Sequence, residues 1–144
     1  MEAIKHFNLI QTLVWRKFIG LGWRYRPSYE NIVILSKDKK DYNFYDTSKK
    51  CSNVIEGINQ DIPSAAKDGK FQDHPTQKPV KLIKYLLNIH SLQGQTVLDP
   101  FMGGGSTGIA CRELSRNFIG IEIDESYFKL AEHRINQATT ELFV

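Results

Sequence analysis

A run of glycines in the second half of the sequence is bracketed by two acidic residues. Asp99 begins the segment Asp-Pro-Phe-Met-Gly-Gly-Gly-Ser-Thr-Gly, which ends at Gly108, and Glu122 closes a later apolar segment. Glycines between a strand and a helix let another molecule approach the backbone. A carboxylate about 20 residues further on can accept hydrogen bonds from ribose hydroxyls. The pattern predicts a site for a cofactor that contains adenosine.

The residues around the glycines narrow the choice of cofactor. Ile109 stands where a phosphate-binding P-loop requires lysine, and the glycines fit the dinucleotide spacing G-x-G-x-x-G poorly. A carboxylate at Asp99 would repel a pyrophosphate but could favour an ammonium or a sulfonium. This favours S-adenosylmethionine over NAD. One alternative stays open on the residues alone, in which the glycines form only a tight turn and Glu122 is a solvated strand end.

Strands alternating with helices must position these residues. Apolar patterns predict strands over 9–15 and 31–35, joined by a basic, aromatic connection, and the polar stretch 36–73 is predicted to be loop. The second half predicts helix 78–90, strand 96–99, helix 107–114, strand 117–122 and helix 125–137, the last capped by Asp124 or Ser126. Such alternation predicts a parallel α/β sheet. The predicted apolar helix faces are Val80, Ile83, Leu86 and Leu87, and Phe128, Ala131, Ile135 and Ala138.

Composition and charge limit the class of protein. The chain has 144 residues, 41% of them hydrophobic, which suits one soluble domain. No apolar run approaches the ~20 residues of a membrane span. The two cysteines, Cys51 and Cys111, lie outside any metal-binding spacing, as do the histidines, so we expect no zinc site and a reducing cytoplasm. Residues 1–90 carry 15 basic and 9 acidic side chains, which favours a polyanionic partner for the front of the chain, although a solvated lysine-rich surface explains the charge equally well.

Three ordered motifs resemble the DNA amino-methyltransferases that modify adenine N6 or cytosine N4. The residues from Asp99 to Gly108 are similar to the family's cofactor motif D-P-F-x-G-x-G-[ST]-[ST]-G, with Gly104 where serine is common. His74-Pro75-Thr76-Gln77-Lys78-Pro79 resembles the family's H-P-[TA]-Q-K-P, and Phe118-Ile119-Gly120-Ile121-Glu122 resembles its F-[IV]-G-[IV]-E. The front of the chain is similar as well, but Tyr29 stands where the family has histidine before Glu30.

The resemblance implies a Rossmann-like fold of S-adenosylmethionine-dependent methyltransferases and a role for each matching residue. Glu122 would hold the ribose, Ile123 would lie against the adenine, and the other implied cofactor-binding residues are Thr76, Lys78, Asp99, Phe101, Gly103, Gly105, Ser106 and Thr107. The implied DNA-binding residues are Arg16, Lys17, Trp23, Arg24, Tyr25 and Arg26. The implied host is a prokaryotic, archaeal or phage-type cell, where such enzymes serve DNA methylation and restriction–modification.

The family's catalytic tetrapeptide [DNS]-P-P-[YFW] does not occur in this sequence. We therefore expect an incomplete fold whose catalytic strand region precedes Met1, with no catalytic residue in this chain. We expect a single partial domain with a sheet and basic connection over 1–37, a variable loop for target recognition over 38–73 and a cofactor-binding region over 74–144. Self-association or a second chain carrying the tetrapeptide is expected. The function implied is methyl transfer from S-adenosylmethionine to a base amine in DNA, with adenine N6 slightly favoured over cytosine N4. The alternative is a non-catalytic remnant that binds cofactor or DNA, or a subunit of a split methyltransferase.

Overall fold

A computed structural model describes residues 6–17, 28–58 and 77–139. The chain divides into two compact units, residues 1–60 and residues 61–144. The single-domain organisation with its three regions stays a prediction.

The first unit contains a three-stranded sheet. Strand β1 (Asn8–Arg16) pairs antiparallel with β2 (Tyr29–Ser36), in a register that runs from Asn8 opposite Ser36 to Arg16 opposite Tyr29. A two-residue strand, β3 (Val54–Ile55), pairs parallel with the other edge of β1. Trp15 anchors this sheet: it is fully buried, and its indole Nε1 donates to the Ile58 carbonyl at 2.7 Å. β3 corrects the prediction of loop over 36–73 at these two residues, and positions 59–73 of that prediction lie outside the described residues. A strand of two residues is too short to show an alternating pattern in the sequence.

The second unit alternates helices and strands. It contains α1 (Val80–His90), β4 (Thr96–Asp99), α2 (Ser106–Glu113), β5 (Asn117–Gly120) and α3 (Glu125–Gln137). β4 and β5 are parallel, with Thr96 opposite Asn117 and Asp99 opposite Gly120. The predicted parallel α/β arrangement is confirmed. β5 ends two residues before the predicted Glu122, although the Ile121 N–H still donates to the Asp99 carbonyl at 2.9 Å.

Local chemistry sets the helix boundaries. Pro79 precedes α1, and its fixed φ suits a helix start. Asp124 caps α3, since its side chain accepts hydrogen bonds from the N–H groups of Ser126 and Tyr127. The predicted bounds of α3 are confirmed, and Asp124 rather than Ser126 is the cap.

The helix faces in the core differ from those predicted. The buried residues of α1 are Leu82 and Ile89, and those of α3 are Leu130 and Ala131, so only Ala131 belongs to the predicted sets. Phe128 is 41% exposed. On each helix the apolar residues cover a wider face than the residues that are buried. The periodicity of the apolar residues therefore placed the centre of the buried face incorrectly.

The two faces of the β4–β5 sheet are unequal. Val97, Asp99, Phe118 and Gly120 are partly buried, whereas Leu98 is 60% and Ile119 is 53% exposed on the opposite face. Ile121, which continues this row, is 54% exposed. Parallel sheets are normally buried on both faces. Within the described residues, this sheet therefore has one bare apolar face, which we call the open face (Leu98, Ile119 and Ile121).

Candidate cofactor site

A turn of six residues, 100–105, leads from the carboxyl end of β4 into α2. The backbone is left-handed at Gly103 (φ 49°) and at Gly105 (φ 78°), a conformation that costs a residue with a Cβ atom. The Met102 N–H donates to the Ile121 carbonyl at 3.0 Å, and the Gly105 N–H donates to the Met102 carbonyl at 2.9 Å. These bonds fix the turn against the segment that follows β5.

Asp99 organises the turn from the end of β4. Its Oδ1 accepts from the Phe101 N–H at 3.1 Å, and its Oδ2 accepts from the Thr107 hydroxyl at 2.6 Å. The carboxylate thus links the strand end to the first turn of α2. Because each oxygen carries two lone pairs, acceptor capacity remains for a bound group.

Glu122 bridges the glycine turn and the approach to α3. Its Oε2 accepts from the Gly103 N–H at 2.9 Å, and its Oε1 accepts from the Asp124 N–H at 3.0 Å. The hydrogen bond from Asp124, with that from Gly103, lowers the pKa of the Glu122 carboxyl against the opposing effect of desolvation. The group is therefore a carboxylate at neutral pH, with its orientation set by main-chain donors and with lone pairs left for hydroxyl groups of a ligand.

A cavity of about 330 Å³ opens at the carboxyl ends of β4 and β5. Its lining residues are Gln77, Lys78, Ile83, Asp99, Phe101, Met102, Gly103, Gly104, Ser106, Thr107 and Glu122. Ser106 is 6% exposed, and its Oγ has no hydrogen-bond partner among the described residues. It begins α2, whose first N–H groups lack intrahelical acceptors. This end of the cavity is chemically suited to an anionic oxygen group.

Most of the predicted cofactor-binding residues are brought together. Lys78, Asp99, Phe101, Gly103, Ser106, Thr107 and Glu122 all line the cavity. Gly105 is not among the lining residues, and it supplies the left-handed residue that precedes α2. Ile123 is fully exposed and is not among the lining residues, and Thr76 lies outside the described residues. The arrangement is suited to binding a ligand. Two oriented carboxylates and a helix N-terminus line a cavity large enough for part of a nucleoside cofactor.

Comparison with known proteins agrees with this geometry. A family model described as DNA methylase, covering the N6 and N4 methyltransferases, matches residues 1–133. The chain belongs to this DNA methylase family. It is 31% identical over 143 residues to the Type II methyltransferase M2.LlaDCHI of Lactococcus lactis subsp. cremoris, a match that covers 93% of the chain and 53% of the relative.

Two further DNA methylases show the same relation. M2.DpnII of Streptococcus pneumoniae is 31% identical over 140 residues, covering 90% of the chain and 52% of the relative. The crystal structure of a complex of M1.HpyAVI with S-adenosylmethionine superposes with a TM-score of 0.74 at 33% identity, covering 93% of this chain and 65% of that one. The Rossmann-like methyltransferase fold is confirmed, and the chain spans about half the length of the curated relatives it matches.

The cavity also involves residues that were not among the predicted cofactor-binding residues. Gln77, Ile83, Met102 and Gly104 line the cavity, and the Arg134 guanidinium donates from α3 to Gln77 Oε1 at 2.7 Å and to the Gly104 carbonyl. Gln77 and Gly104 sat within motifs already noted. Arg134 belongs to none of the motifs. In the sequence it looks like another polar residue on the exposed face of α3.

The predicted DNA-binding residues are only partly described. Arg16 forms an ion pair of 2.8 Å with Glu56, and its side chain is 68% exposed. Lys17 forms an ion pair of 2.7 Å with Glu30, and its Nζ lies 5.9 Å from the centroid of the Trp15 ring. Trp23, Arg24, Tyr25 and Arg26 lie outside the described residues.

Within residues 6–17, 28–58 and 77–139, no helix has the length and apolar character needed to cross a bilayer. Across the same ranges, no three acidic, histidine or cysteine side chains come together in a way that could hold a metal ion.

Proposed function

We propose that residues 77–139 bind S-adenosylmethionine in the cavity at the ends of β4 and β5. The observation that carries this proposal is that the Glu122 carboxylate, held by the N–H groups of Gly103 and Asp124, lines the same cavity as Ser106 and Thr107 at the N-terminus of α2. Oriented acceptors for ribose hydroxyls and donors for a carboxylate are what the two ends of this cofactor require. The SAM complex of M1.HpyAVI supports the proposal.

Each group has a proposed partner on the cofactor. Glu122 holds the ribose, and the buried Ser106 hydroxyl with the first N–H groups of α2 holds the carboxylate. The Thr107 hydroxyl is already donated to Asp99, so we assign Thr107 to orienting that carboxylate near the sulfonium and ammonium charges. Lys78, with Thr76, binds the amino-acid end, and Ile123 packs on the adenine.

Titration calorimetry of S-adenosylmethionine into the 144-residue chain tests the cofactor proposal. Glu122→Ala should weaken binding roughly 10- to 100-fold, since it removes a charged hydrogen-bond acceptor. Glu125→Ala is the matched control, because Glu125 is an exposed acid of the same region that pairs with Lys129 at the surface. Absence of binding by the native chain, or equal affinity of both variants, would contradict the proposal.

We propose further that the whole protein transfers the methyl group, which S-adenosylmethionine supplies when bound, to an exocyclic base amine in DNA. Membership in the DNA methylase family, whose model covers both the N6 and the N4 enzymes, supports this reaction. Of the two amines we propose adenine N6 slightly ahead of cytosine N4, as the resemblance implied. Arg16 is proposed as a phosphate contact, because exposed ion pairs such as Arg16–Glu56 contribute little and can exchange partners. Trp23, Arg24, Tyr25 and Arg26 keep their predicted roles, while Lys17 is largely buried against Glu30. The cytoplasm of a bacterial-type cell is the proposed location.

The residues that orient the base amine come, we propose, from a polypeptide that carries the tetrapeptide [DNS]-P-P-[YFW] and covers the open face. Leu98, Ile119 and Ile121 give this face an apolar surface on a parallel two-stranded sheet, which further strands and helices would bury. Such a polypeptide completes both the core and the chemistry.

Complementation tests this part. The chain is mixed with a fragment of a DNA methylase of this family that carries the tetrapeptide and lies outside the region matched by the chain. Tritiated cofactor should label DNA only when both are present, and nucleoside analysis then identifies the methylated amine. Leu98→Asp should abolish labelling, whereas Leu92→Asp, an exposed leucine outside the strands, should not. Cofactor binding without labelling under any complementation would favour the alternative of a non-catalytic binding module.

A further inference from the structure

Arg134 connects two walls of the cofactor cavity without lining it. The residue lies in the last turn of α3, where an arginine side chain usually interacts with the carbonyl groups of its own helix end. Here Nη1 donates instead to Gln77 Oε1 at 2.7 Å and to the Gly104 carbonyl. These acceptors lie 57 and 30 residues away in sequence. One guanidinium thus joins α3, the segment before α1 and the glycine turn.

Both acceptors belong to the cavity wall. Gln77 and Gly104 line the cavity, and Gln77 is adjacent to the lining residue Lys78. Gly104 is buried, so its carbonyl requires a hydrogen-bond partner within the protein, and Arg134 provides it. The preceding residue, Gly103, is held from the other side by Glu122 at 2.9 Å. The turn is therefore held between a carboxylate and a guanidinium.

We propose that Arg134 is a positioning residue for the cofactor: it sets the distance between the Gln77–Lys78 segment and the glycine turn. The planar fork of an arginine can hold two acceptors in fixed directions, whereas a lysine ammonium acts as a single point charge. This inference rests on the proposed binding of S-adenosylmethionine. It adds a group outside the cavity that determines how well the cavity fits its ligand.

Calorimetry with S-adenosylmethionine on the full chain tests the role. Arg134→Ala should raise the Kd roughly 3- to 30-fold, the range expected for residues coupled through one network. Arg134→Lys should have a smaller effect because it keeps the charge and one donor. Gln77→Ala should weaken binding as well, and the double variant with Arg134→Ala should bind no worse than the weaker single variant. Glu132→Ala, at an exposed position of the same helix, should leave the Kd unchanged.

Stoichiometry separates positioning from support of the fold. If Arg134 and Gln77 only stabilised the fold, substituting them would lower the thermal midpoint or the fraction of chains that can bind. The Kd of the chains that remain folded would stay at the native value. That result for both Arg134→Lys and Gln77→Ala would overturn the inference, even if Arg134→Ala failed to fold. If the native chain binds and Glu122→Ala weakens binding, the cofactor proposal stands whatever the Arg134 variants show. If the native chain does not bind, the cofactor proposal itself fails.

Discussion

Alanine at Gly105 should destabilise the second unit far more than alanine at Gly94. Both glycines have φ of 78°, so each substitution carries the cost of placing a Cβ atom in the left-handed region, about 1–2 kcal/mol. At Gly94 the new Cβ meets nothing within 4 Å. At Gly105 it would lie 2.8 Å from the Ala131 Cβ and 3.0 Å from the Ala131 Cα, well inside the ~3.5–4.0 Å of favourable carbon contact.

The close approach of the glycine turn to α3 adds a steric cost at Gly105 only. Overpacking of a tight core costs about 1–3 kcal/mol, so Gly105→Ala should lower the free energy of unfolding by about 2–5 kcal/mol in total. Gly94→Ala should lower it by about 1–2 kcal/mol. The difference between the two variants measures the contact with Ala131, because the backbone strain is the same in both.

Urea unfolding followed by circular dichroism at 222 nm is the assay, since all described helices lie in the second unit. Tryptophan fluorescence is the internal control, because Trp15 and Trp23 both belong to residues 1–60. The double variant with Ala131→Gly should recover part of the loss, although that change alone costs about 1 kcal/mol in a helix. Equal destabilisation by the two glycine variants, or no coupling to Ala131, would refute the argued contact.

Three other predictions follow from single groups. Hydrogen bonds from the Ser126 side chain and from main-chain N–H groups at the N-terminus of α3 lower the pKa of Asp124. The ionised cap therefore stabilises the fold above the unfolded pKa, and this stabilisation is lost as the pH falls through the folded pKa. Asp124→Asn should keep the cap but remove its share of the acid dependence, which thermal melting from pH 2 to 7 measures. Burial raises the pKa of the Cys111 thiol to about 11, whereas Cys51 is exposed. Alkylation of the folded protein at pH 8 should therefore modify Cys51 and leave Cys111 unmodified. The Cys51→Ser variant should not be labelled until urea unfolds it. Thr107→Val should weaken cofactor binding by removing the hydroxyl donor to Asp99, whereas Thr107→Ser should retain affinity in the same calorimetric assay.

The glycine turn and α3 were predictable because their signals are local. An Asp cap followed by an apolar stripe defines α3, and glycines after a short strand define the turn. In each case, the residues that decide the structure are close together in sequence.

The contacts that hold the cavity were not predictable in the same way. Arg134 reaches Gln77 across 57 residues, and no periodicity marks a side chain that leaves its own helix. Thr107 was predicted to bind the cofactor, but its hydroxyl donates to Asp99. Which of two adjacent hydroxyls remains available depends on the relative placement of β4 and α2, and Ser106 proves to be the one whose oxygen has no partner among the described residues.

These contacts argue that the proposed cofactor binding and the proposed base modification are separable in this member of the DNA methylase family. Glu122 is oriented by Gly103 and Asp124, and Asp99 is oriented by Phe101 and Thr107, so the donors to both carboxylates among the described residues lie within residues 99–124. Nothing in these bonds requires a group from the open face. Orientation of a base amine, in contrast, depends on a tetrapeptide that the sequence does not contain. The 144-residue chain should therefore bind S-adenosylmethionine with one site per chain while leaving DNA unmethylated, and DNA labelling by the purified chain alone would show that another of its residues performs the chemistry.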